Sequence, residues 1–139
     1  MRPVSLGLVL FLVTSAFASD AAIKKCTKVE AMEAEREAES LKDWDQVYRS
    51  YKRFSQCDDG AIAEGYSESI TKLLAEDWKN SNRLLVLTSR SRTFRHFVLK
   101  HIDETVPGDR LANIANNARS ECPAESRNLC LSIAKATGK

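Results

Sequence analysis

The chain has 139 residues, with 21 Lys and Arg against 19 Asp and Glu, a balance that excludes an overall electrostatic drive toward nucleic acid. With only 5 Gly and 3 Pro and a hydrophobic share of 43%, the composition argues against both a disordered chain and a turn-rich β-sandwich, and favours helices. The length suits one domain with one hydrophobic core.

Arg2, the apolar run from Leu6 to Val13 and the small residues Ser15, Ala16, Ala18 and Ser19 read as a signal peptide over residues 1–19. The run falls well short of the roughly 20 residues that cross a bilayer. The expected product is therefore exported, to the periplasm or outside the cell, as a single helical domain over residues 20–139 with no membrane span. Cys26 lies too far in to be the new N-terminus, which excludes a lipid-anchored lipoprotein.

Residues 22–39 carry Ile23, Cys26, Val29 and Met32, with Ala31, Ala34 and Ala38 among glutamates, the pattern of a helix with a thin apolar stripe. Ser40 and Asp43 are candidate caps for a second helix over 43–56. There Trp44, Val47, Tyr48, Tyr51 and Phe54 recur at three- and four-residue steps. The two are expected to form an antiparallel hairpin turning near Leu41 and Lys42. Asp58 and Asp59 then cap a third helix from about Ala61 to Trp78, with Ile62, Tyr66, Ile70, Leu73, Leu74 and Trp78 on one side. Beside that stripe Ala61, Gly65 and Ser69 form a row small enough for another helix to approach closely, so this helix is expected to be central. Residues 79–82 read as a loop. Leu84 to Leu87 is too short to classify by period and is read as a short buried helix, a strand being the alternative. Ser91 and Thr93 are candidate caps for a fifth helix bearing Phe94, Phe97, Val98 and Ile102, stopped by Val106-Pro107-Gly108. Asp109 caps a sixth with Leu111, Ile114, Ala115 and Ala118 inward, and Pro123 ends it. Leu129, Ile133 and Ala134 define the last. The expected fold is all-α: a single disulfide-tied bundle of six to seven helices built from antiparallel helical hairpins.

Cys26, Cys57, Cys122 and Cys130, an even number in an exported chain, imply disulfides, and four cysteines allow three pairings. In the first hairpin Cys26 and Cys57 lie equally far from the turn and face each other, which leaves Cys122 with Cys130. A last helix beginning at Ala124 would carry Cys130 about 9 Å along its axis, beyond easy bridging. That pairing requires the helix to start late, near Arg127.

Asp58, Asp59, Glu64 and Glu68 form the densest polar group. Two such carboxylates could serve as acid and base in cleaving a sugar bond, while helix capping and the helix dipole account for the same residues without a ligand. Residues 79–101 hold Lys79, Arg83, Arg90, Arg92, Arg95 and Lys100 and no Asp or Glu. Arg83, Arg90, Arg92, Arg95 and Lys100 are the candidate partner-binding residues, suited to an acidic surface. His96 and His101, five apart, point about 140° apart on a helix and do not converge. With the cysteines oxidised, no metal site, cofactor or thiol nucleophile is expected.

The stretch Cys57-Asp58-Asp59-Gly60-Ala61-Ile62-Ala63-Glu64-Gly65-Tyr66-Ser67, followed by Phe94 to Ile102, Cys122-Pro123 and Cys130, resembles a group of small exported bacterial helical proteins. The resemblance implies a bacterial, periplasmic setting and carries no activity across. The expected function is non-enzymatic: binding another envelope or secreted protein with an acidic surface, in an inhibitory, immunity-type or accessory role. The rival expectation is a cell-wall glycan hydrolase using Asp59 and Glu64.

Overall fold

Thr27 sets the first helix boundary in the computed structural model, which describes residues 24–138; the expected signal peptide lies outside the described residues. The Thr27 hydroxyl accepts from the Glu30 backbone N–H, and the Glu30 carboxylate accepts from the Thr27 N–H. This reciprocal cap starts α1 at Lys28, and the helix runs Lys28–Ala38. Cys26 therefore precedes the helix instead of riding on it. The buried face also differs from the expected stripe. Ala34 and Ala38 are buried, while Val29 and Met32 are 67% and 56% exposed.

The reason lies in α3, Gly60–Glu76. A Cβ added at Gly65 would lie 3.0 Å from the Ala38 Cβ and 3.1 Å from the Glu39 backbone nitrogen. Only small side chains permit backbones this close, so the alanines face in and the longer apolar residues are turned out. Ser69 fixes the approach: its hydroxyl donates to the Ala38 carbonyl at 2.6 Å and accepts from the Leu41 N–H at 3.2 Å.

Asp43 caps α2, Trp44–Phe54, by accepting from the Gln46 N–H, and buries Trp44, Val47 and Phe54. Ser40 instead closes the end of α1, donating to the Glu37 carbonyl. A short 3-10 turn, Ser55–Cys57, brings Cys57 to Cys26, and the two form a disulfide with Cα atoms 4.9 Å apart. Asp59 then caps α3, and Gly60 takes φ 52°, a left-handed conformation that suits glycine. As expected of a central helix, α3 packs against α1, α2 and the sixth helix. Tyr66 at its middle is fully buried, its hydroxyl 2.9 Å from the Ser50 hydroxyl, and burial pushes its phenol up to about 12.

Residues 79–82 are not an open loop: a 3-10 turn, Trp78–Asn80, leads directly into α4, Ser81–Arg90, which resolves the short apolar run as helix. Then come α5, Arg92–Lys100, and α6, Gly108–Ser120. The fifth helix stops well before Pro107, and Ile102 and Val106 reach the core from the turns that follow it. Pro107, not Asp109, occupies the cap position of α6, and Asp109 lies in its first turn. After a 3-10 turn, Ala124–Ser126, α7 spans Arg127–Ala136. This late start lets Cys122 and Cys130 form a disulfide, with Cα atoms 6.1 Å apart. The described residues thus form an all-α bundle of seven helices with two disulfides around one core. No helix among them is long and apolar enough to cross a membrane.

Replacing Gly65 by Ala would gain about 1 kcal/mol in helix propensity but overpack a contact whose far side is backbone pinned by Ser69, at a cost of roughly 1–3 kcal/mol. Because that backbone has little room to yield, the expected net effect is a loss of about 1 kcal/mol or more. Urea unfolding checks it as a lower midpoint at unchanged slope; a raised midpoint would refute the close contact.

Candidate functional site

The cations of residues 79–101 fall on α4, α5 and the turn before them, and the structure sorts them by partner. Arg83 grips Asp45 of α2 with Nε at 3.0–3.1 Å from both carboxylate oxygens and a terminal nitrogen 2.5 Å from Oδ1. These hydrogen bonds hold the Asp45 carboxyl below its ordinary value. The pair is about half exposed, so it guides packing more than it stabilises. Arg95 reaches across to α7, donating to the Asn128 carbonyl at 2.9 Å and the Ser132 hydroxyl at 2.7 Å.

Lys100 pairs with Oδ2 of Asp58. Asp58 does not cap α3, since Asp59 does so alone; instead its side chain turns inward and is 3% exposed. Nε2 of His101, equally buried, lies 3.3 Å from the same carboxylate oxygen, and its Nδ1 lies 3.0 Å from the Ser67 hydroxyl. Burial alone would push the Asp58 carboxyl up, but the neighbouring His101 and Lys100 outweigh it and hold it below its ordinary 3.8. Phe97 and Tyr66 pack on the imidazole.

Ser67, His101 and Asp58 follow the order of nucleophile, base and orienting carboxylate, but two features argue against acyl transfer. Ser67 sits in the interior of α3, where backbone N–H groups are committed to the helix and cannot form an oxyanion hole. In addition, Lys100 already neutralises the carboxylate that would have to stabilise an imidazolium. The cluster instead ties the Cys57-Asp58 turn to the end of α5.

Arg90 and Arg92 stand apart. Both are exposed, and neither makes an ion pair or side-chain hydrogen bond. They flank Ser91, which ends α4 and caps α5 by accepting from the Phe94 N–H at 3.2 Å. The same corner is held from α2, where the Tyr51 hydroxyl donates to Thr93 at 2.7 Å and the Tyr48 and Tyr51 rings pack on Phe94. Thr93 is therefore an exposed hydrogen-bond acceptor for Tyr51 within the helix and not its cap. Of the five candidate partner residues, Arg83, Arg95 and Lys100 are engaged within the fold, while Arg90 and Arg92 make no contact of this kind.

The four clustered carboxylates also separate. Asp59 caps α3, Asp58 is buried, Glu64 is exposed, and Glu68 pairs with Arg110 of α6 at 2.5 and 3.1 Å, which holds its carboxyl below its ordinary value. His96 is exposed and His101 buried. Among the described residues no group of three or more His, Cys, Asp or Glu could hold a metal ion. No family model, curated protein or solved structure matches the chain.

The lowered Asp58 pKa gives a stabilisation that is fully present above the unfolded value of 3.8 and is lost as pH falls through the folded value. Urea unfolding followed from pH 5 to pH 2 is expected to show a steeper loss for the natural protein than for Asp58→Asn. Parallel curves would mean that Asp58 is ionised equally in both states.

Proposed function

We propose that the protein is exported and acts by binding, presenting the corner between α4 and α5 to an acidic surface of another protein in the bacterial envelope, in an inhibitory, immunity-type or accessory role. The unpaired Arg90 and Arg92 carry this reading. Within the same segment Arg83, Arg95 and Lys100 are engaged inside the fold, so the two free guanidinium groups lie together at one corner, with the exposed Lys79 apart from them in the turn before α4. The backbone of the corner is held before any partner arrives by Ser91, Thr93 and Tyr51, so binding has only the two arginine side chains to order, whose planar guanidinium groups match carboxylates. Two disulfides and the absence of free cysteines among the described residues support an oxidising compartment.

The test is capture of a partner from envelope extract, its identification by mass spectrometry, and repetition with the purified partner. Arg90→Glu with Arg92→Glu is expected to abolish capture while leaving the melting temperature unchanged, and rising salt should slow association of the natural protein. Undiminished capture by the folded double variant would overturn the assignment. Arg95 is unsuited to this test, because replacing it removes a tie between α5 and α7.

A further inference from the structure

A second surface lies between α6 and α7. The chain leaves α6 at Ser120, passes Cys122 and Pro123, and enters α7 at Arg127, with the Cys122–Cys130 bridge joining the two ends. Alongside this bridge runs a groove of about 690 Å³, walled by Ala118, Pro123 and Ala134, within the range of roughly 300–1,000 Å³ usual for small-ligand sites. The alanines give the groove depth. Leu131 stands on its edge at 64% exposure, one of the few large apolar side chains left open to solvent.

The polar side chains of this groove are of one kind. Arg119, Arg127 and Lys135 line it, and no carboxylate, amide or hydroxyl side chain does. Every polar side chain is therefore a charged donor and none is an acceptor. A peptide backbone would bring both donors and acceptors to be satisfied, whereas a carboxylate brings acceptors only. Arg127, Leu131 and Lys135 follow one another at four-residue steps on a single face of α7. The exposed Arg127 and Lys135, neither in an ion pair, are thereby set roughly 12 Å apart along the helix axis, with an apolar edge between.

We propose that this groove binds a free long-chain carboxylate, a fatty acid anion, with its alkyl chain along the alanine walls and Leu131 and its head group at Arg127 or Lys135. This site is independent of the α4–α5 corner and does not rest on the function proposed for it.

Dodecanoate, titrated below its micelle-forming concentration into the oxidised protein by calorimetry, tests the site, with dodecyltrimethylammonium as the cationic control of equal chain length. The expected result is saturable one-to-one binding of dodecanoate and at least about tenfold weaker binding of the control. Arg127→Glu with Lys135→Glu should weaken dodecanoate binding by a similar factor. Leu131→Gln, at an exposed position where folding is not at stake, should weaken it several-fold. No saturable binding, equal affinity for the two amphiphiles, or indifference to both sets of substitutions would overturn the proposal. Binding only to anionic vesicles, with no uptake of the free acid, would do so too.

Discussion

The backbone of α1 can rest on α3 only because residue 65 has no side chain, and much of the bundle follows from that contact. With the end of α1 held against Gly65, Ser69 satisfies both the last carbonyl of the helix and the amide of Leu41, just past the turn, groups that would otherwise be buried and unpaired. The turn at Leu41 is thereby fixed, α2 returns beside α3, and its Ser50 meets the Tyr66 hydroxyl. The aromatic layer of Tyr48, Tyr51, Phe94 and Phe97 then joins α2 to α5. A larger residue at position 65 would move the frame on which these contacts are registered.

Charge is handled by a similar economy. A segment with six cations and no anion would repel itself if all six faced water, and the fold pairs several of them across elements: Arg83 to α2, Arg95 to α7 and Lys100 to the turn before α3. The Lys100 contact is the most consequential, because it allows a carboxylate to be buried beside a histidine. What remains exposed and unpaired is Lys79 before α4 and the two guanidinium groups of Arg90 and Arg92 at its far end.

The helices and the cysteine pairing were legible because each depends on local periodicity or on simple symmetry. The apolar steps of α2 and α3 fall on the core, and the need for a late start to α7 follows from helical rise alone. Helix boundaries are less legible: the Thr27 side chain caps α1 after Cys26, whereas α6 starts earlier than Asp109 suggests, with Pro107 at the cap position and no side-chain cap. The buried face of α1 is not legible locally, because Val29 and Met32 are more hydrophobic than Ala34 and Ala38, and the preference for alanine is imposed by a distant glycine. The Asp58–His101 contact joins residues 43 apart in sequence and leaves no periodic trace. His101 finds its partner on another element, so its spacing from His96 carries no trace of the contact. The surface segment was recognisable by composition, but which of its cations are spent required the three-dimensional pairing.

The disulfide connectivity also bears on how such a chain matures. Each bridge joins a cysteine to the next one along the sequence, Cys26 to Cys57 and Cys122 to Cys130. In a polypeptide that emerges amino end first into an oxidising space, every thiol would meet its native mate before any other becomes available. An oxidant that simply couples thiols in order of appearance would suffice, with no reshuffling of wrong pairs, and the first hairpin would be sealed while the remainder was still arriving.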